Sequence, residues 1–196
     1  MSTVVTSMFT WPLGEDVALL PQTVAISDAY HDLLAANHER IARWDPYATE
    51  PPTREGTRSF LEARGQGWLA GTELPVVIAV PADGGWQLAG FAGLRISQLS
   101  GTADAGYWID SSFEGRGLVT RAVTALLDQA FGSLGLARVT VHTLVDNERS
   151  RAVATRLGFT EEGIHRQAVP FRDGRADEVI YGLLADEWKA ARTGSA

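Results

Sequence analysis

The residues best suited to chemistry in this sequence form a glycine-containing segment, 110–120, between a predicted strand and a predicted helix. Gly115 and Gly117 let the backbone turn sharply, and such a turn at a helix N-terminus exposes consecutive N–H groups that bind anions. The segment is not a P-loop, and Thr120 stands where a dinucleotide-binding pattern needs its third glycine. The spacing therefore indicates a tight turn or a diphosphate site, and it disfavours nucleoside triphosphates and nicotinamide dinucleotides.

Metal, thiol and serine-hydrolase chemistry find little support in the sequence. The four histidines lack metal-ligand spacing, and the absence of Cys excludes a thiol nucleophile, an iron–sulfur cluster and a thiolate zinc site. The run 131–135 resembles a nucleophile elbow only superficially, because Phe131 replaces the first glycine and the run follows a helix. We therefore expect no metal and no enzyme thiol in the chemistry of this chain.

The elements around the glycine segment are predicted from the periodicity of apolar residues. Helical spacing predicts helices over 27–44, after Thr53, over 117–135 and from about 146 to 158. The helix after Thr53 has an apolar side made by Phe60, Leu61, Trp68 and Leu69. Strands are expected where short runs are apolar or alternate, at 75–80, 86–96, 104–110, 138–145, 164–171 and 178–184. This order predicts a mixed α/β (α+β) domain with a partly antiparallel central sheet.

Composition and charge narrow the class of protein. The 196 residues, 45% of them hydrophobic, contain no apolar run of membrane-spanning length and no signal-peptide pattern, so we expect one cytoplasmic domain. The 17 basic residues are scattered, which argues against a nucleic-acid partner. The net charge of −7 favours cationic small molecules or peptides as partners.

Three further motifs flank the glycine segment. Gly-Tyr-Trp-Ile-Asp precedes it at 106–110, Val-Asp-Asn-Glu-Arg-Ser follows at 145–150, and Leu-Gly-Phe-Thr-Glu-Glu-Gly lies at 157–163. In this order the four motifs resemble the GNAT superfamily of acyltransferases, specifically its ribosomal-protein N-acetyltransferase branch of the RimJ/RimL type. The likeness covers roughly 89–188. It implies a GNAT fold, in which a mixed, mostly antiparallel central sheet flanked by helices splays into a V, with acetyl-CoA in the cleft.

The resemblance also implies an organisation for the chain and a set of coenzyme contacts. Residues 1–196 would be one acyl-CoA N-acyltransferase domain, with substrate-side helices at 27–70 and a coenzyme-binding core at 89–188. A homodimer is the family expectation. The residues implied to bind the coenzyme are Ile109, Glu114, Gly115, Arg116, Gly117, Leu118, Val119, Thr120, Arg121, Asn147 and Ser150.

Two positions depart from the family's pyrophosphate signature, Gln/Arg-x-x-Gly-x-Gly/Ala. Glu114 places a negative side chain where a neutral or basic one is usual, although it can point to solvent. Val119 is larger than the usual small residue, whereas Gly117 matches. Both departures disfavour close approach of the coenzyme, while Arg116 and Arg121 could add charged contacts to phosphate.

The same resemblance implies catalytic residues. Asp104 occupies the place of a carboxylate that removes the amine proton through water, and His142 on the neighbouring strand is an alternative base. Backbone N–H groups around Trp108 and Ile109, where the family's strand bulges and splays from its neighbour, would stabilise the oxyanion. Asp104, His142 and water all stay open as the base.

The leaving group and a second carboxylate have less support. Many members carry a Tyr, seven residues after the pantetheine-contacting Asn, that protonates the leaving thiolate, and this chain has Ala154 there. Ser150 occupies the acid position proposed for the ribosomal branch, and we expect it to orient the sulfur, because a thiolate leaves readily and Ser is a weak acid. The second carboxylate of some ribosomal-branch enzymes falls at Val169, so that role is empty.

The acceptor is constrained by the fraction of amine that is neutral. At pH 7 this is roughly 10% for an α-amino group and about 0.04% for a lysine amine. No His-rich or carboxylate-rich site is evident in the sequence, so we expect a protein or peptide N-terminal α-amino group as the acceptor. Acetylation of a polyamine or aminoglycoside is an alternative, and a CoA-binding sensor or interaction protein with little catalysis is another.

Overall fold

A single sheet of nine strands organises the residues that the computed structural model describes, 3–7 and 9–193. The strands are β1 (Val4–Val5), β2 (Trp11–Pro12), β3 (Ala18–Pro21), β4 (Glu73–Ala82), β5 (Gly85–Ser97), β6 (Thr102–Ile109), β7 (Arg138–Leu144), β8 (Thr160–Phe171) and β9 (Gly174–Leu184). The α-helices are α1 (Ser27–Ala42), α2 (Arg54–Leu69), α3 (Leu118–Phe131), α4 (Glu148–Arg156) and α5 (Ala185–Thr193).

The sheet is open in its middle, where two neighbouring strands diverge. Across the sheet the order is β2-β3-β4-β5-β6-β7-β9-β8, with β1 added to β5. Of the recorded pairs only β6–β7 is parallel, and its pairing covers residues 102–104 against 138–140, after which the strands diverge. This mixed, mostly antiparallel sheet confirms the predicted fold class and the V-shaped opening.

Both faces of the sheet are covered, which explains why β4 is buried along most of its length. On one face Ile78 and Val80 pack with α3 in the larger apolar cluster. On the other face Val77 packs with Tyr30 of α1 and Leu61 of α2. The sheet is therefore sandwiched between the predicted substrate-side helices and α3.

Helix α3 is the amphipathic helix predicted over 117–135. It begins after Gly117, whose φ of 70° suits glycine, and it ends before Gly132. Its buried residues recur at helical spacing: Leu118, Ala122, Val123, Ala125, Leu126, Leu127, Ala130 and Phe131. Its first turn faces the opening between β6 and β7.

Helix α2 packs more narrowly than its sequence predicts. Thr53 caps it, because its side chain accepts a hydrogen bond from a first-turn N–H at 3.0 Å. Leu61 is fully buried, but Phe60 is 42%, Trp68 41% and Leu69 91% exposed. The predicted helix is present, and of these four apolar residues Leu61 alone is buried, since α2 meets its neighbours along one stripe.

Three short strands and the last helix are missing from the sequence prediction. Strands β1 to β3 have two to four residues each, too few to show a period. Helix α5 follows β9 directly, and its Trp188 Nε1 donates a hydrogen bond to Asp128 of α3 at 3.0 Å. Strand β8 begins earlier than predicted, at Thr160, because it is a mostly exposed edge strand whose sequence lacks alternation. Its partner β9 also begins earlier than predicted, at Gly174. Among the described residues, no helix is long and apolar enough to cross a membrane.

Candidate active site

An open cavity of about 1650 Å³ lies where β6 and β7 diverge. Pockets for one small ligand usually measure about 300–1,000 Å³, so this cavity has room for two reactants. Its walls come from α1 and the segment after it, from β6, the glycine segment, β7 and α4. The substrate-side helices and the coenzyme core that the sequence predicts thus face one common space.

The glycine segment forms a turn whose upper surface is open. Gly115 and Gly117 have φ values of 72° and 70°, and no atom lies within 4 Å of where a Cβ would stand on either. Helix α3 starts at the next residue, and its first intrahelical bond joins the Arg121 N–H to the Gly117 carbonyl at 3.1 Å. The N–H groups of the preceding three residues have no intrahelical acceptor, because they belong to the first turn. The turn can therefore bind an anion, as its sequence predicts.

Glu114 does not point freely to solvent, and that part of the sequence prediction is wrong. Its carboxylate is ion-paired with Arg40 of α1 and with Arg149 of α4, whose Nη1 lies 2.6 and 2.7 Å from the two carboxylate oxygens. The side chain is 28% exposed. Two guanidinium groups thus balance the negative charge that Glu114 brings beside the anion-binding turn.

Asp110 also fastens α1 to the glycine segment. Its Oδ2 accepts a hydrogen bond from the buried Asn37 amide at 2.6 Å, and its Oδ1 accepts one from the Ser112 N–H at 2.8 Å. Burial raises the pKa of Asp110, but these hydrogen bonds and the nearby Arg40 charge outweigh it and hold the pKa below the usual value. Asp110 therefore stays ionised near neutral pH and keeps the turn attached to α1.

Both arginines predicted to bind phosphate already have partners. The Arg116 guanidinium lies 5.4 Å from the centre of the Phe113 ring. Arg121 makes two hydrogen bonds to the carboxylate of Asp16, at 2.8 and 2.9 Å, and these bonds lower the pKa of Asp16. Both arginines line the cavity, so a phosphate would meet positive charge that is partly shared.

At the start of α4, Ser150 contacts a phenol that β6 brings to the cavity. Asn147 caps the helix, since its Oδ1 accepts the Ser150 N–H at 3.2 Å. The Ser150 hydroxyl donates to the hydroxyl of Tyr107 at 3.3 Å, and that hydroxyl donates to the Ser150 carbonyl at 3.1 Å. Burial raises the pKa of Tyr107 to about 12, although the bond with Ser150 opposes it. A neutral hydroxyl therefore stands beside Ser150, while Ala154 carries none.

Three titratable side chains from β6, β7 and β9 meet on the other side of the cavity. The His142 Nε2 lies 3.7 Å from Asp104 Oδ1, and its Nδ1 lies 3.2 Å from Glu178 Oε2. Thr140 donates a hydrogen bond to Asp104 Oδ1, and Arg95 Nε lies 3.9 Å from its Oδ2. This cluster is not evident in the sequence, because its three members come from three different strands. Among the described residues, no group of three or more His, Asp or Glu side chains is arranged to hold a metal ion.

The backbone of β6 directs one N–H donor into the gap between β6 and β7. Strands β5 and β6 pair in constant register up to Ile109, and the Asp110 N–H donates to the Ala89 carbonyl at 2.8 Å. Since N–H groups alternate along an antiparallel strand, the Trp108 N–H faces β5 and the Ile109 N–H faces the gap. The described β5–β6 pairing has no bulge at these residues. A register shift lies instead between β4 and β5, after Ile78.

Comparison with known proteins adds the family. A profile described as the acetyltransferase (GNAT) domain matches residues 19–160. The chain belongs to the GNAT acetyltransferase family. The putative ribosomal N-acetyltransferase YdaF of Bacillus subtilis is 32% identical over 189 residues, which are 94% of this chain and 100% of that protein.

This GNAT enzyme is also similar to a second relative and to a solved structure. The ribosomal-protein-serine acetyltransferase of Escherichia coli is 38% identical over 92 residues, which are 47% of this chain and 51% of that protein. The crystal structure of the microcin self immunity acetyltransferase MccE, in complex with acetyl-CoA and AMP, matches with a TM-score of 0.79 at 25% identity, covering 88% of this chain and 94% of that one. The predicted family and its RimJ/RimL-like kinship are confirmed, and acetyl transfer is the activity of this enzyme.

All site residues predicted from the GNAT motifs line the cavity, including the alternative base His142. The sequence prediction missed four residues that shape it: Arg40, Tyr107, Arg149 and Glu178. Tyr107 lies within the Gly-Tyr-Trp-Ile-Asp motif at 106–110, so its place in that motif could have identified it as a site residue. The other three come from elements distant in sequence, and no local pattern indicated their contacts.

Proposed function

We propose that this GNAT enzyme transfers the acetyl group of acetyl-CoA to the α-amino group of a protein or peptide N-terminus. One observation carries the proposal: a single cavity joins an anion-binding helix start to a cluster of proton-accepting side chains. The relatives named as ribosomal or ribosomal-protein acetyltransferases support a protein acceptor. In this proposal residues 1–196 act as one domain, with 27–70 on the acceptor side and 89–188 on the coenzyme side.

The glycine segment fits the diphosphate of the coenzyme. The surface over Gly115 and Gly117 is open enough for phosphate oxygens to reach the backbone, because neither position has a side chain or a close neighbour. The N–H groups of residues 115–120 would hold the anion, and Arg116 and Arg121 would add charge. The coenzyme supplies the activated acetyl group as a thioester.

Residues beyond the turn would hold the rest of the coenzyme. The Asn147 oxygen accepts the Ser150 N–H, which leaves its amide N–H donors and one oxygen lone pair for the coenzyme. Ser150 and Tyr107 form the paired hydroxyls that would face the sulfur. The Ile109 N–H would stabilise the negative charge that develops on the thioester oxygen.

Proton removal from the amine falls to the pair formed by Asp104 and His142. Asp104 is 48% exposed, so water reaches it, and it stands 3.7 Å from the imidazole. The hydrogen bond from Thr140 and the proximity of Arg95 orient its carboxylate. No covalent enzyme intermediate is required, which agrees with the absence of Cys.

A small polyamine is a second candidate acceptor, because Asp104 and Glu178 bring two carboxylates to the cavity. Such a pair attracts an amine that arrives protonated. A test with separate acceptors distinguishes the two. A lysine-free peptide with a free N-terminal serine, spermidine and an aminoglycoside are each incubated with acetyl-CoA, and released thiol is titrated.

Rapid thiol release with the peptide, and mass spectrometry that maps the acetyl group to its N-terminus, is the expected result. Faster release with spermidine would transfer the proposal to the polyamine. Binding of acetyl-CoA without thiol release from any amine would contradict the enzymatic proposal and favour a CoA-binding sensor.

A homodimer in the cytoplasm completes the proposal. Ile164 of the β8–β9 hairpin is 47% exposed, and an apolar side chain there suits an interface between copies. Light scattering after size exclusion is expected to give twice the mass of the chain. A mass equal to one chain at micromolar concentration would contradict the dimer.

A further inference from the structure

His142 lies between two carboxylates, and the distances give its nitrogens different roles. Glu178 approaches Nδ1 at 3.2 Å, within hydrogen-bond reach, whereas Asp104 stands 3.7 Å from Nε2. Neutral imidazole donates from one nitrogen and accepts at the other, and the tautomer is set by the stronger hydrogen bond. A proton on Nδ1, donated to Glu178, leaves the lone pair of Nε2 directed toward Asp104 and the cavity.

The register of β7 against β9 creates this contact. Leu144 of β7 is the direct partner of Glu178, and His142 is the diagonal neighbour two residues away on the same face. Glu178 is 20% exposed and His142 is 39% exposed, so the carboxylate lies deeper than the imidazole. Glu178 can therefore fix the imidazole through Nδ1, while the Nε2 of His142 stays accessible to water and to an acceptor.

From this geometry we infer that His142 is the catalytic base of the enzyme and that Glu178 is the positioning residue that fixes its tautomer. The inference rests on the proposed function and deepens it, since it explains how an amine that arrives protonated becomes neutral. Val169 leaves the corresponding position on β8 without a carboxylate, and Glu178 brings one to the cavity from the adjacent strand β9.

The proton and electron balance follows from these roles. The ammonium form of the acceptor gives one proton to Nε2 of His142, and the freed lone pair forms the bond between nitrogen and the acetyl carbon. The bond between that carbon and sulfur breaks, and its electron pair leaves on sulfur, which receives the second amine proton. The imidazolium, held between Glu178 and Asp104, then returns its proton to water.

Several charged or titratable groups surround this imidazole. Asp104 faces it from β6 and Glu178 from β9, so each ring nitrogen has a carboxylate near it. Arg95 of β5 lies 3.9 Å from the Asp104 carboxylate. His165 of β8 is the cross-strand partner of Glu178. A substitution of Glu178 therefore changes the group that faces Nδ1 and leaves the carboxylate near Nε2 in place.

The first test measures the tautomer without any acceptor. In the ¹⁵N-labelled full-length protein, long-range proton–nitrogen correlation spectra report which nitrogen of His142 carries the proton, with His142→Gln used for assignment. We expect the Nδ1–H tautomer in the wild type and a shift toward Nε2–H in Glu178→Leu, which offers no acceptor. An Nε2–H tautomer in the wild type, or no change in the variant, overturns the inference.

The second test measures kinetics with the serine peptide and acetyl-CoA across pH. His142→Gln should lower kcat by about 10² or more, the usual effect of losing a general base, and remove its acid limb. Glu178→Gln should lower kcat about tenfold and leave the KM for acetyl-CoA unchanged. Glu162→Gln is the matched control, because Glu162 is ion-paired with Arg138 outside the cavity.

Two outcomes separate the inference from its foundation. An acid limb that disappears in Asp104→Asn but survives in His142→Gln assigns the base to Asp104 and overturns the inference while the proposed function stands. Failure of the wild type to acetylate any amine contradicts the proposed function, and the tautomer spectra then still decide whether Glu178 orients His142.

Discussion

Gly117→Ala tests whether the turn before α3 holds the coenzyme. Gly117 has a φ of 70°, and nothing lies within 4 Å of the position of an added Cβ. The methyl group therefore causes no clash, and the cost is the left-handed backbone, about 1–2 kcal/mol for an L-residue. If the bound state needs this backbone and the free turn relaxes from it, acetyl-CoA affinity falls by a factor of about 5–30.

Gly101→Ala is the matched control for this substitution. Gly101 has a φ of 66° and equally open surroundings, but it lies in the turn between β5 and β6 and does not line the cavity. Calorimetric titration with CoA and KM measurements by thiol release should show the loss only in Gly117→Ala. Gly117→Asn should recover part of it, because Asn enters the left-handed region more readily. An unchanged KM in Gly117→Ala, or an equal rise in Gly101→Ala, would refute the role of this turn.

Three further substitutions have expected outcomes. Glu114→Gln frees two arginines beside the turn, so the KM for acetyl-CoA should fall about two- to fivefold. Glu55→Gln, at an exposed position, changes the net charge equally and should leave this KM unaltered. An equal change of KM in both variants contradicts a local effect of Glu114. Tyr107 keeps its proton up to about pH 12 whereas an unfolded tyrosine loses it near about pH 10, so stability should fall between these values, and Tyr107→Phe should unfold less steeply with pH in denaturant titrations; an identical slope contradicts this. Leu126→Ala should lower the free energy of unfolding by about 2–5 kcal/mol in urea titrations, because this side chain is fully buried in α3; a loss below about 1 kcal/mol contradicts its packing role.

The parts of the fold that short-range patterns govern could be predicted from the sequence. Helix α3 shows this best, since Gly117 and the spacing of its apolar residues mark both its start and its buried face. The apolar run of β4 identifies a strand covered on both faces. The fraction of the apolar side of α2 that is buried could not be predicted, because it depends on how narrow a stripe the neighbouring elements cover.

The electrostatics of the site needed the folded chain. Glu178 reaches His142 only because β7 and β9 pair in one register, and a slip of one residue would turn the carboxylate to the other face. Arg40 precedes Glu114 by 74 residues, so no local spacing relates them. The sequence motifs indicated which residues line the cavity, whereas the partners of those residues depend on packing between distant elements.

The carboxylate of Glu114 has one more consequence, for the order of events during turnover. It joins α1, on the proposed acceptor side, to α4, on the proposed coenzyme side, through Arg40 and Arg149. In the proposed function, coenzyme phosphates in the cavity would compete with Glu114 for Arg149, and the contact of Glu114 with α1 would change with them. Binding energies linked in this way are reciprocal. Whatever factor bound coenzyme contributes to acceptor affinity, bound acceptor must contribute to coenzyme affinity, and each product influences the departure of the other.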